Sequence, residues 1–156
     1  MSKVEDKLRE LGIALPQPAA PVANYVGFVR SGSAVTVSGQ LPFDPEGKLA
    51  PSLVGRVGSE IAPEVAKDGV RLCAINVLAQ LKAAVGDLDR VRRVVRLGGF
   101  IASTPEFTGH GGVMNGASDL MVEVFGDAGR HARSTIGVAG LPMGACVEVE
   151  GLFEVE

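Results

Sequence analysis

Aromatic residues are scarce in this chain, which has six Phe, one Tyr and no Trp among 156 residues. That leaves little from which to build the stacking platforms of single-strand nucleic-acid binders. Cysteine is equally sparse: Cys73 and Cys146 lie in apolar segments with no CxxC or Cys/His spacing. This argues against a disulfide framework or a zinc site and for two buried thiols in a reducing compartment. Positive charge is not in excess. The formal net charge of -3 gives no global field to draw the chain to nucleic acid or anionic lipid, so a small-molecule partner is expected. No apolar run reaches the length of a membrane span, and the N-terminus, MSKVEDKLRELG, has no apolar core of a signal peptide. The expected location is therefore the cytoplasm, with no membrane partner. Neither GxGxxG nor GxxxxGK[ST] occurs, and Gly109-His110-Gly111-Gly112 lacks the lysine and preceding strand of a phosphate loop, so no nucleotide cofactor is indicated. His110 and His131, the two histidines, have no cysteine or carboxylate cluster nearby and read as loop residues rather than metal ligands.

What is present suits one α/β domain over residues 1–156: 46% hydrophobic residues, 21% charged residues and 21 glycines placed where elements should turn or end. Ser2 and Glu5 have capping-box spacing, and Val4, Leu8 and Leu11 share a helical face that Gly12 closes. Pro16, Pro18 and Pro21 then make an extended arm, so that residues 1–24 are a helix and an arm. Tyr25–Arg30 and Ala34–Gln40 read as a hairpin about Ser31-Gly32-Ser33. Residues 41–63 form mostly loop, with an irregular strand expected over 53–57. A helix follows over 63–85, then a strand over 91–101, a helix over 112–125, and strands over 134–138 and 146–153, the last two expected to pair through Gly-Leu-Pro-Met-Gly. The sum is one mixed sheet with two main helices on one face. Val147, Val149 and Leu152 suggest that the other face is apolar and needs a partner, which points to subunits closing into a ring.

Arg133 stands where a loop becomes a strand, with no carboxylate beside it in sequence. By itself it reads as an ordinary surface or interface arginine. The whole stretch from Arg133-Ser-Thr-Ile-Gly-Val through Leu-Pro-Met-Gly to Val-Glu148-Val-Glu150 resembles the signature of the Rid family, the YjgF-type reactive enamine and imine deaminases. Tyr25, followed by Val37-Ser38-Gly39-Gln40-Leu41-Pro42, resembles that family's N-terminal pattern at matching spacing. The resemblance implies a chorismate-mutase-like fold, a homotrimer, and active sites in clefts between subunits. It also implies a role for each matching residue: Arg133 for the substrate carboxylate, Glu148 for the attacking water, Thr135 beside that water, and Tyr25, Ser38 and Asn115 along the pocket. The implied reaction is hydrolysis of a 2-imino acid or its enamine to a 2-keto acid and ammonia, with no metal or organic cofactor. If residues 133–150 form one hairpin, Thr135 falls roughly opposite Glu148 and Arg133 opposite Glu150.

The chain departs from the family pattern in carrying Thr135 where many members have cysteine, in its N-terminal helix, and in the longer segment between Gln40 and Val65. Two other readings compete. A carboxylate-binding regulatory trimer would keep Arg133 without needing Glu148. Family members have also been labelled translation inhibitors or endoribonucleases, but Arg90, Arg92, Arg93 and Arg96 alternate across a strand and read as a solvated strand end rather than an RNA surface.

Overall fold

A computed structural model of the protein describes residues 2–156. The chain opens with α1 (Lys3–Glu10), whose Ser2 hydroxyl accepts from the Glu5 N–H at 3.3 Å. The second half of the expected capping box does not form, because the Glu5 carboxylate reaches Lys82 at 2.7 Å. Asp89 supplies the missing anchor by accepting the N–H groups of Lys3 and Val4, both at 2.9 Å. Those two bonds hold the Asp89 carboxyl below its ordinary range and tie α1 to the turn before the third strand.

After the proline-rich arm come β1 (Phe28–Ser31) and β2 (Ala34–Gln40), which pair antiparallel as expected, with Tyr25 left outside the strand. The segment expected as an irregular strand over 53–57 is instead a short 3-10 turn (Pro51–Leu53) followed by isolated bridges, Val54 to Ala145 and Val57 to Ser103. The longest helix, α2 (Pro63–Val85), starts with proline at its first position and ends at Gly86 in a positive-φ conformation. The chain continues through β3 (Val91–Ala102), α3 (His110–Phe125), β4 (Ala132–Val138) and β5 (Val147–Val155).

The sheet order is β1-β2-β5-β3-β4, with β3 and β4 parallel and the other pairs antiparallel. This corrects the expected terminal hairpin. β4 is joined to β3 through α3 as a strand-helix-strand unit and so lies parallel to it at the sheet edge. β5 passes over to the centre. The burial patterns give the reason: β5 alternates buried and half-buried along all nine residues, as a central strand should, whereas β4 has no buried residue. In consequence Thr135 faces Gly99 and Arg133 faces Leu97 across one side of β3, while Glu148 pairs with Phe100 and Glu150 with Gly98 across the other.

α2 and α3 pack on one face of the sheet, against Val35, Val37, Leu97, Ile101, Val147 and Phe153, all fully buried. Val147 and Val149 belong to this covered face, so the expectation that they make the other face apolar is wrong. The uncovered face mixes Phe100, Ile136 (51% exposed) and Leu152 with the carboxylates of Glu148 and Glu150. Its pattern is that of a surface combining contact area and chemistry.

Candidate active site

The register puts Arg133 and Glu148 on opposite faces of one sheet. Side chains alternate along a strand, and β3 lies between β4 and β5. Each residue heads its own polar arrangement.

Arg133 points to the helix side of edge strand β4 and lies against α3. Its Nη1 donates to Asn115 Oδ1 at 2.9 Å and to Ser118 Oγ at 3.0 Å, and Nη2 donates to the Gly111 carbonyl at 3.3 Å. Asn115 and Ser118 are three apart on α3 and so share a face, which makes them a fixed seat for the guanidinium. His131 completes the seat: its Nδ1 lies 2.6 Å from the Gly129 carbonyl, and its Nε2 lies 2.9 Å from Ser118 Oγ. The carbonyl contact makes Nδ1 a donor, and Nε2 faces the same Ser118 hydroxyl that accepts from Arg133. Three of the five guanidinium N–H groups are thereby used. The Nε–H and one Nη2–H have no partner among the described residues, and those are the donors of a side-on bidentate carboxylate contact.

Two residues along the same face of β4, Thr135 Oγ1 is buried with no hydrogen-bond partner among the described residues. A buried hydroxyl normally has one, so this atom is a free polar group next to the arginine seat.

On the other face, Glu148 lies in a cleft of ≈ 270 Å³ shared with Tyr25, Pro21, Phe43 and Met143. Burial, and then the neighbouring Glu150 carboxylate, push the Glu148 carboxyl above its ordinary range. Gly39 allows the glutamate to lie across β2: a Cβ there would sit 2.8 Å from Glu148 Oε1. Ser38 does not line this cleft. Its hydroxyl donates to the Val26 carbonyl at 2.6 Å and fixes the segment that carries Tyr25, which is 55% exposed. Two buried polar residues of α2 hold lining segments in place from behind. Asn76 Nδ2 donates to the carbonyls of Leu41 (3.3 Å) and Phe43 (3.0 Å), and Gln80 Nε2 donates to that of Ala19 (2.9 Å).

The structure thus places Tyr25 with Glu148, and Asn115 and Thr135 with Arg133. Sequence reasoning missed Ser118 and His131 at the arginine, and Asn76 and Gln80 behind the glutamate. The signals were present: residues i and i+3 on a helix, residues i and i+2 on a strand, and amides in the middle of an apolar helix that burial obliges to bond. Both cysteines are buried as expected, with burial pushing Cys146 up to about 11 and Cys73 well above the ordinary thiol range. Two of the four clustered arginines are engaged beside Glu156: Arg90, in the turn before β3, donates to the Val85 and Glu156 carbonyls, and Arg92 lies 3.9 Å from the Glu156 carboxylate. Among the described residues no helix is long and apolar enough to cross a membrane.

Comparison with known proteins identifies the class. Residues 5–154 match the family model described as "YjgF/chorismate_mutase-like, putative endoribonuclease", and the chain belongs to that family. It is 48% identical over 154 residues to Protein TCP17 of Trypanosoma cruzi, covering 98% of this chain and 94% of that protein. Among solved structures, Atu1372 of Agrobacterium tumefaciens, a protein of unknown function, is 47% identical with a TM-score of 0.91, covering 98% of this chain and 92% of that one. A Shewanella oneidensis protein of the same endoribonuclease description is 34% identical with a TM-score of 0.93, covering 97% and 99% of the two chains.

Proposed function

We propose that the protein is a cytoplasmic hydrolytic deaminase of 2-imino acids and their enamine tautomers, forming 2-keto acids and ammonia at sites between the subunits of a homotrimer. The observation that carries this reading is the arginine seat: a guanidinium fixed by Asn115, Ser118 and Gly111 with a donor edge left over for a carboxylate. The substrate's 2-carboxylate docks there, which sets its C=N carbon beside Thr135. Glu148, carried on the opposite sheet face, reaches the same substrate only from a second copy of the chain. A face-to-edge contact of this kind is heterologous, and with a three-fold rotation between copies it closes as a ring.

The chemistry needs little beyond position. A protonated imine is already electrophilic at C2. Glu148 takes a proton from water as the water oxygen bonds to C2, and the C=N π pair moves to nitrogen to give a carbinolamine. The glutamic acid then returns its proton to that nitrogen. Glu148, again a carboxylate, takes the hydroxyl proton as the O–H electron pair forms the C=O bond, the C–N bond breaks, and ammonia leaves. The outer backbone groups of edge strand β4 are the available contacts for the water and the carbinolamine hydroxyl. Desolvation of Glu148 favours the proton-accepting role, because it raises the basicity of the carboxylate.

The direct test uses 2-iminopropionate and 2-iminobutyrate generated in situ by an amino-acid oxidase. Catalysed release of keto acid above the buffer rate is expected, and release at the buffer rate would leave only a carboxylate-binding protein. Light scattering at micromolar concentration should give three times the 16.1 kDa chain mass. A mass of one chain would contradict any site that needs two copies.

A further inference from the structure

Beyond Thr135 on the same face of β4 lies a third cleft, of ≈ 390 Å³, at the far end of the strand. Arg56, Ser103, Thr104 and His110 face it, and none of its lining residues is a carboxylate. His110 opens α3, its ring tilted against Phe107 at a centroid distance of 5.1 Å, with Nε2 3.4 Å from Ser103 Oγ. Gly137 is what lets this pair face the strand: a Cβ there would lie 2.7 Å from Ser103 Oγ and 2.8 Å from His110 Nε2. Glu60 neighbours Arg56, but its carboxylate accepts the Arg56 backbone N–H at 2.8 Å, and the two side chains make no ion pair. The Arg56 guanidinium makes one long hydrogen bond, 3.4 Å to the Ala139 carbonyl, and keeps its other donors.

Arg133, Thr135 and Gly137 follow one another at alternate positions on one face of β4. Arg133 Nη2 is bonded to Gly111, the residue next to His110. One strip therefore runs from a cation with a free carboxylate edge, along the Thr135 position of the strand, to a cleft holding a second cation, an imidazole and two hydroxyls. A substrate with a short neutral tail would leave those end groups unused.

We propose that the Arg56–Ser103–His110 cleft is a second acid-binding pocket that takes the distal carboxylate of a dicarboxylic 2-imino acid whose first carboxylate sits on Arg133. The inference rests on the deaminase reading and deepens it by naming the substrate class. Arg56 supplies the charge, Ser103 and His110 supply directed N–H and O–H donors, and Gly137 supplies the room. Discrimination comes from the pocket's own polar groups, which a hydrocarbon tail would leave unpaired.

The test compares kcat/KM for 2-iminoglutarate and 2-iminopentanoate, which have the same carbon count and differ in the distal carboxylate, in the wild type, R56A and H110Q. In parallel, ring resonances are followed by NMR during titration with glutarate or pentanoate; the chain has two histidines, so H110Q assigns both. The wild type should prefer 2-iminoglutarate, and losing a charged hydrogen bond should lower that preference about tenfold or more in R56A. Glutarate should move the His110 signal and pentanoate should not. An unchanged preference in both variants, or a His110 signal unmoved by glutarate, overturns the proposal even if imines are hydrolysed. If no imine is turned over but glutarate moves His110 in the wild type and not in R56A, the deaminase reading fails and the acid pocket stands.

Discussion

Arg133→Lys is expected to fold as the wild type does and to lose about two orders of magnitude in 2-imino acid hydrolysis. Lysine keeps the positive charge but not the planar fork. In the native chain Asn115, Ser118 and Gly111 take three donors on one part of the guanidinium, leaving the Nε/Nη2 edge for the carboxylate. An ammonium has no second parallel donor to offer while it satisfies the same seat. A charged contact of this type is worth about 1.5–3 kcal/mol and each ~1.4 kcal/mol is tenfold, so losing a bidentate pair gives roughly a hundredfold. The loss should be confined to substrates that carry the carboxylate. Measuring a neutral imine alongside 2-iminobutyrate checks this, because equal losses on both would make Arg133 a structural residue.

Glu148→Gln should lower hydrolysis by about a hundredfold or more, the usual contribution of a positioned general base, and should also raise the melting temperature at neutral pH. The second effect follows from the raised carboxyl of Glu148 in the fold. A folded pKa above the unfolded value means that ionisation is disfavoured in the native state, so stability is lost as pH rises through the folded value. Glutamine removes that penalty, and the gain over the wild type should shrink as pH falls toward the ordinary glutamate range. The wild-type rate should follow the same group and rise with pH through a midpoint above the ordinary glutamate range. Loss of activity without any gain in thermal stability would mean that Glu148 is not desolvated in the working enzyme. Carboxylate binding should persist in the variant under both readings, and the fall in hydrolysis is what separates the catalyst from a purely binding trimer.

Most of the architecture was legible because it rests on local signals: the capped helices, the first hairpin, and the two long helices with a strand between them. The failure at β4 and β5 has a clear cause. Two short strands joined by a Gly-Leu-Pro-Met-Gly turn look like a hairpin in sequence, and the insertion of β3 between them depends on long-range pairing that no local pattern records. The strict alternation Val147, Val149, Gly151, Phe153, Val155 was the available hint of a central strand. The site divides along the same line. Arg133, Glu148, Tyr25 and Asn115 could be matched one at a time, but their separation on two faces could not be read before the sheet order was known. Ser38 and Gly39 show the limit of a motif: the serine holds the Tyr25 segment and the glycine clears space for Glu148, and neither role is visible in the letters. His131 was passed over because its partners, Ser118 and Gly129, come from the middle of α3 and the turn after that helix rather than from a metal-like cluster.

The sharpest test is complementation between the two inactive variants. R133K and E148Q chains are denatured together in equal amounts, refolded, and assayed for ammonia release from 2-iminobutyrate. In randomly mixed trimers, about a quarter of the interfaces join an intact Arg133 from one chain to an intact Glu148 from another, so activity should return to about a quarter of the wild-type rate. Activity no higher than that of the separate variants, in samples shown to contain mixed trimers, would contradict a site shared between subunits.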